Sequence, residues 1–81
     1  MEAEKAIEAI ISEYGRATHL NGAFPNAHCG YAVILEEMDE LWEHIKKKSA
    51  DRDPEEMRRE TAQIGAMALR LDAAEPESPP E

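Results

Sequence analysis

A run of apolar residues between positions 31 and 45 constrains the fold more than any other feature of the sequence. Seven apolar side chains recur there at steps of one and three residues: Tyr31, Ile34, Leu35, Met38, Leu41, Trp42 and Ile45. On a helix they occupy one sector of roughly 120°, the width of a core-facing stripe. We therefore predict an amphipathic helix over residues 31–48, whose C-terminal end suits the cations of residues 46–48.

Two further segments have helical character. Apolar residues at steps of three and four predict a first helix over about residues 2–18. Asp53 followed by Pro54 is a typical helix start, because Asp caps free N–H groups and Pro lacks the N–H that would stay unpaired. This pair predicts a third helix over residues 54–71. No alternating strand pattern occurs, so the predicted fold class is all-α, with a single helical domain over residues 1–71.

Charge and cysteine content exclude several classes of function. Of 81 residues, 9 are Lys or Arg and 18 are Asp or Glu, which gives a formal net charge of −9. A field of this sign opposes binding to the phosphates of a nucleic acid polymer. The single cysteine, Cys29, excludes an intrachain disulfide and a cysteine-rich zinc site.

The two ends of the sequence bear on cellular location and on disorder. The N-terminal segment MEAEKAIEAI lacks the regions of a signal peptide, and no segment approaches the ~18 consecutive apolar residues of a membrane span. We therefore expect a cytoplasmic protein with no membrane partner. Residues 72–81, DAAEPESPPE, contain no large apolar side chain. We predict that this acidic, proline-rich tail is disordered, because it cannot bury enough surface to offset its ordering entropy.

The small size of the chain makes self-association an expected property. Small domains bury a limited fraction of their surface and rely on disulfides, metals or oligomerisation for stability. Three short helices cannot cover all seven apolar positions of the second helix within one subunit. We therefore predict a homodimer or a larger helical bundle, in which a second copy covers the remainder.

Acidic residues of the second helix line one flank of its apolar stripe. Glu37 and Glu40 lie there together with His44. Carboxylates three residues apart project side by side and repel each other, and a divalent cation removes that penalty. The simpler interpretation of these two glutamates alone is a solvated acidic face. His44 could contact the metal or its ligands, although oxygen-rich sites disfavour imidazole.

The third helix strengthens the case for a metal site. Glu60 falls inside its apolar stripe, where a carboxylate is costly unless it is paired, protonated or bound to metal. Neither Arg59 nor Arg70 shares the face of Glu60. An antiparallel hairpin of the second and third helices would bring Glu60 to Glu37 and Glu40. Carboxylates that converge from two helices are typical of metal sites in helical bundles.

Two short segments resemble a known family. Residues 36–40, EEMDE, within ILEEMDELWEHIKKK resemble the EExxE motif of the MazG-like, all-α nucleoside triphosphate pyrophosphohydrolases. The second family motif, ExxD, corresponds to residues 60–63, ETAQ, within RRETAQIGAMALRL. The resemblance covers residues 30–71, and these wider segments are also similar to small MazG-like proteins of phages and prophages.

The resemblance implies an activity and a set of site residues. It implies a dimeric or tetrameric bundle that hydrolyses a nucleoside triphosphate to the monophosphate and pyrophosphate. Glu37, Glu40 and Glu60 would bind Mg²⁺, or Mn²⁺ in its place. Glu36 and Glu37 would act in catalysis, Glu36 as a further ligand or as the base that positions water. Gln63 replaces the family's aspartate, which keeps an oxygen ligand but removes one negative charge.

Three interpretations of the function stay open. The chain could be this hydrolase, or a non-catalytic MazG-like module that binds nucleotides or proteins, with Gln63 marking the loss of a second metal. It could also be a helical assembly protein with an acidic surface. A catalyst should be stabilised by Mg²⁺ and by a nonhydrolysable nucleotide, a binding module by nucleotide alone, and an assembly protein by neither.

Overall fold

The computed structural model describes residues 2–73, which fold into three α-helices. The helices are α1 (Glu2–Asn21), α2 (Ala27–Ile45) and α3 (Pro54–Asp72), and a 3₁₀ turn at Ser49–Asp51 precedes α3. No strand occurs among the described residues, so the predicted all-α class is confirmed. All but the first two residues of the predicted disordered tail, from position 74 onward, lie outside the described part of the chain.

The bounds of α2 differ from the predicted ones at both ends. The helix begins earlier, at Ala27, because the Asn26 side chain accepts a hydrogen bond of 2.8 Å from the backbone N–H of Cys29. It ends earlier, at Ile45, where Arg52 donates from Nε and Nη2 to the Ile45 carbonyl at 3.0 and 2.6 Å. These bonds pair a carbonyl that a helix end leaves free, and the three lysines follow the helix instead of forming its last turn.

The start of α3 is the predicted one. The Asp53 carboxylate accepts hydrogen bonds from the backbone N–H groups of Glu55 and Glu56, at 3.0 and 3.4 Å. Pro54 occupies the first helical position. This cap fixes the residue at which α3 begins, and it therefore sets the position of Glu60 along the helix, about two turns after Asp53.

Helix α3 lies at the centre of the fold, with α1 and α2 packed against it. Gly30 and Leu71 come together at one end of α2, and His44 and Glu60 meet near the other end, so α2 and α3 run antiparallel. Ile10 contacts Gly65, and Arg70 donates to the carbonyl of Gly22, the residue that follows α1, so α1 runs parallel to α3.

Two glycines allow the helices to approach closely. A Cβ atom on Gly30 would lie 2.8 Å from Cδ1 of Leu71, and one on Gly65 would lie 2.8 Å from Cδ1 of Ile10. Real Cβ atoms do not approach other carbons this closely, so a larger residue at either position would force the side chain of Leu71 or Ile10 to shift. The close approach of α2 to α3 is what brings their acidic side chains into contact range.

The core of one subunit is small, and α2 leaves an apolar surface exposed. Among the described residues, the buried apolar side chains are Ala17, Ala66 and Met67. Four large side chains of α2 form an exposed strip, named here the α2 seam: Tyr31 (64% exposed), Leu35 (46%), Met38 (48%) and Trp42 (56%). None of the helices in residues 2–73 has the length and apolar character needed to cross a membrane.

Candidate metal centre

Three carboxylates converge where α2 and α3 pack together. Glu37 and Glu40 belong to α2, and Glu60 belongs to α3. One carboxylate oxygen from each lies within 4.8 Å of the others, an arrangement that could hold a metal ion. We name these three residues the carboxylate cluster. The structure thus brings together the three glutamates that the sequence patterns group, through the antiparallel hairpin expected for α2 and α3.

Burial leaves several polar atoms of this region without a protein partner. Glu37 and Glu60 are half-buried, whereas Glu40 is exposed. The Oε1 atoms of Glu37 and Glu60 are inaccessible to solvent and have no hydrogen-bond partner among the described residues. An unpaired buried oxygen of this kind costs free energy, which a cation bound between the carboxylates would recover.

His44 lies beside the cluster. Its Nε2 atom is 4.0 Å from Oε2 of Glu60, and its Nδ1 atom is buried without a partner among the described residues. At 4.0 Å the two atoms lie beyond hydrogen-bond distance, so the imidazole is a close neighbour of Glu60 and not its hydrogen-bond partner.

The charge of Glu60 is not neutralised by a neighbouring Lys or Arg. Arg59 forms its ion pair with Glu56 at 2.9 Å, and Arg70 donates to other groups. Within residues 2–73, His44 is the one basic side chain at ion-pair distance from Glu60. The cluster therefore concentrates negative charge, as a cation site requires.

The cluster raises the pKa of two of its carboxyl groups. Burial, followed by the negative charges of Glu40 and Glu60, raises the pKa of Glu37 from 4.5 to about 7. Burial and the charge of Glu40 also raise the pKa of Glu60. A bound divalent cation acts in the opposite direction, because it stabilises the ionised form of both groups.

We expect the metal-free protein to lose stability as the pH rises from about 5 to about 8. Glu37 has a pKa of about 7 in the folded protein and 4.5 without its surroundings, so the folded state binds more protons over this interval. The stability present below the lower pKa is therefore lost as the pH passes through the higher one. Discounted for solvent screening, the loss is about 1 kcal/mol in the free energy of unfolding.

Urea denaturation in EDTA at several pH values measures this effect. Glu37→Gln should flatten the pH dependence. Glu43→Gln, at an exposed position of α2 whose side chain pairs with Lys46, should keep the wild-type slope. A metal-free protein whose stability is constant or rises over this interval would contradict the expectation.

The other two predicted site residues are not members of the cluster. Glu36 is exposed and is not a member of the cluster. Gln63 is half-buried and lines a cavity of about 440 Å³ together with Glu37. The cluster and the cavity therefore share Glu37, and Gln63 faces the space next to the predicted metal.

Arg70 lines the same cavity and is a residue that the sequence patterns do not assign to the site. A spacing of seven residues places Gln63 and Arg70 on one edge of α3, and this spacing is the signal that could have identified it. The burial of Arg70 depends on the chain segment between α1 and α2, whose path no periodicity predicts.

Comparison with protein-family models, with curated proteins and with solved structures gives no match. The function proposed below is therefore supported by the cluster, by the cavity beside it and by the two short motifs.

Proposed function

We propose that this protein is a divalent-cation-dependent nucleoside triphosphate pyrophosphohydrolase of the MazG-like type, acting in the cytoplasm. The observation that carries the proposal is the convergence of Glu37, Glu40 and Glu60 within 4.8 Å, from two antiparallel helices. The EExxE-like segment and the second glutamate motif supply these same residues. The geometry and the motif resemblance thus favour the same three residues as the cation site.

The residues present fit a hard divalent cation. The cluster offers carboxylate oxygens, and Mg²⁺ and Mn²⁺ prefer oxygen ligands and commonly bind one or two carboxylates together with substrate phosphates. The unpartnered Oε1 atoms of Glu37 and Glu60 gain a partner when a cation binds. Gln63 lines the same cavity as Glu37 and offers a neutral amide oxygen as a further ligand.

Each acidic residue has a distinct role in the proposed reaction. Glu37, Glu40 and Glu60 hold the cation, which supplies positive charge at the phosphates when it is bound. Glu37 also faces the cavity, where it can orient water at the phosphate chain. Glu36, exposed at the adjacent position, accepts the proton of that water. Water adds to the phosphorus next to the nucleoside, and the bond to the two outer phosphates breaks, which releases pyrophosphate.

Gln63 favours a second candidate function. An aspartate at this position would add a negative charge beside the cluster, whereas glutamine supplies a neutral oxygen. A site that binds one cation weakly can retain a nucleotide without hydrolysing it. The alternative is therefore a non-catalytic MazG-like module that binds nucleotides or proteins.

We also propose that the α2 seam packs against a second copy of the chain. The seam residues follow one another at steps of four, three and four, which read the same in both directions. In an antiparallel, two-fold arrangement Tyr31 then faces the partner's Trp42, and Leu35 faces the partner's Met38. The seam points away from the α3-facing side of α2, so pairing leaves the carboxylate cluster accessible in each subunit.

A pyrophosphate-release assay tests the proposed activity. We expect metal-dependent turnover of at least one member of a panel of standard and modified nucleoside triphosphates, with Mg²⁺ or Mn²⁺. Turnover should fall below detection in Glu37→Gln, because this variant loses a ligand, and it should persist in Glu43→Gln. The preferred nucleotide would identify the substrate.

If no nucleoside triphosphate of the panel is hydrolysed, the proposed hydrolase activity is wrong. Thermal denaturation then distinguishes the two remaining functions. A folded protein that is stabilised by nucleotide alone is the non-catalytic module. A folded, oligomeric protein that responds to neither Mg²⁺ nor nucleotide is an assembly protein.

A further inference from the structure

The last turns of α3 bury a positive charge. Arg70 is 8% exposed. Its Nη2 atom donates to the Gly22 carbonyl at 2.7 Å, its Nη1 atom contacts Sδ of Met67 at 3.2 Å, and its guanidinium carbon lies 4.1 Å from the centre of the Phe24 ring. Each of these partners is electrically neutral. The charge of Arg70 is thus held in place without being compensated.

No Asp or Glu within residues 2–73 forms an ion pair with this guanidinium. The ion pairs of the described residues involve other cations. The Nε atom of Arg70 is buried and has no hydrogen-bond partner among these residues. A buried charge without a counter-ion is unfavourable, and a donor left unpaired adds to the cost. An anion bound beside Arg70 would relieve both.

The surroundings of Arg70 include a space for such an anion. Arg70 lines the cavity of about 440 Å³ that Glu37 and Gln63 also line. This volume lies in the range of small-molecule binding sites. Since Glu37 also belongs to the carboxylate cluster, one continuous region contains the candidate cation site and the buried arginine.

The distance between the two charges indicates the length of the ligand. Glu60, Gln63, Met67 and Arg70 follow at helical steps of three, four and three, so they form a row along α3 that turns by about 80° around the helix between Glu60 and Arg70. Arg70 comes ten residues after Glu60, about 15 Å along the helix axis. A nucleoside triphosphate is long enough to reach both ends of this row, whereas a shorter anion such as inorganic pyrophosphate reaches the Arg70 end alone.

We propose that Arg70 binds the phosphate chain of the nucleotide, at the end of the cavity opposite the carboxylate cluster. This assignment rests on the proposed function and extends it to a phosphate-binding residue. A planar guanidinium suits phosphate oxygens, and its unpaired Nε–H supplies a donor. Glu37 repels an anion in the same cavity until a cation neutralises it. Phosphate binding therefore depends on prior binding of the metal.

Calorimetric titration with inorganic pyrophosphate, in the presence of Mn²⁺, tests this assignment. Arg70→Gln should bind pyrophosphate at least about tenfold more weakly than the wild type, because it loses a charged hydrogen-bond donor. Its affinity for Mn²⁺ alone should stay unchanged. The matched control is Arg58→Gln, at an exposed position of the same helix where the arginine pairs with Glu55, and it should bind both ligands normally.

A second measurement uses the wild-type protein, since Arg70→Gln also loses its contacts with Gly22 and Phe24 and can fail to fold. The Nε–H resonance of Arg70, assigned from its absence in Arg70→Lys, should shift when pyrophosphate and Mg²⁺ are added. The Nε–H resonance of Arg58 should stay unshifted. Shifts of both or of neither while pyrophosphate binds would overturn the assignment.

The outcomes separate this assignment from the proposed function. A wild type that binds metal and hydrolyses nucleotide, with pyrophosphate affinity unchanged in folded Arg70→Gln, overturns the role of Arg70 alone. A wild type that binds metal but neither pyrophosphate nor nucleotide overturns both. Loss of pyrophosphate affinity with metal affinity intact supports Arg70 as the phosphate-binding residue.

Discussion

Glu60→Gln is expected to abolish Mg²⁺ binding and, at the same time, to stabilise the metal-free protein. The substitution removes one of three carboxylates that lie within 4.8 Å of one another. Changes to residues that only support metal ligands already cost 10–100-fold in affinity, so we expect the loss of a ligand to exceed about 100-fold. The neutral amide ends the repulsion and can donate to Glu37 or Glu40, a gain of about 1 kcal/mol in the free energy of unfolding.

The opposite signs of the two effects make this prediction specific. If Glu60 held the hairpin together through polar contacts, its replacement would reduce stability. If the cluster is instead a cation site, its charges are unfavourable until the metal binds, and removal of one of them is favourable. The unpartnered Oε1 of Glu60 and its raised pKa are the expected properties of a metal-free ligand.

Calorimetric titration with Mg²⁺ measures the affinity, and thermal denaturation in EDTA measures the stability. The matched control is Glu55→Gln, an exposed position of the same helix where the glutamate pairs with Arg58. It should retain wild-type metal affinity. Metal affinity retained by Glu60→Gln would remove Glu60 from the ligand set, and a loss of stability in EDTA would indicate a structural role.

The carboxylate cluster could be predicted from the sequence because local rules determine it. Helical periodicity places Glu37, Glu40 and Glu60 on faces of their helices. The cap formed by Asp53 and Pro54, together with the short connection, makes α2 and α3 antiparallel neighbours. Periodicity and connection length are enough to predict which residues of two neighbouring helices lie opposite each other.

The environment of Arg70 could not be predicted in the same way. Its burial depends on Gly22 and Phe24, which belong to the segment between α1 and α2. That segment has no periodicity, and its path depends on tertiary packing. The start of α2 differs from the predicted one for a related reason, since an Asn in a turn-like segment can either cap a helix, as Asn26 does, or remain in the loop.

The apolar stripe of α2 illustrates a further limit. From the sequence it is a single sector, but α3 covers only part of it. Ile34, Leu41 and Ile45 are half-buried, whereas the α2 seam faces away. The direction from which α3 packs decides this division. Periodicity identifies the apolar face of a helix, but not how many neighbours share it.

In the proposed two-fold dimer, Leu35→Glu and Trp42→Glu are each expected to dissociate the two subunits. Full burial of a large apolar side chain contributes about 1.5–3 kcal/mol, and a two-fold interface contains each seam residue twice. A charged residue at either position should therefore raise the dimer dissociation constant by more than about 100-fold. Both side chains are about half exposed within one subunit, so their replacement should leave the helical content of the monomer unchanged.

Sedimentation velocity over a range of protein concentrations measures the change, with circular dichroism as the check of folding. The matched control is Ile11→Glu, which introduces the same charge at a residue of α1 that is 57% exposed. If Ile11→Glu dissociates the protein and the α2 variants do not, the interface lies on α1 and the α2 seam has another role. A wild type that stays monomeric at high concentration contradicts self-association altogether.

Because the seam and the cluster lie on different sides of α2, a folded monomeric variant that still binds Mg²⁺ would show that each subunit carries a complete cation site.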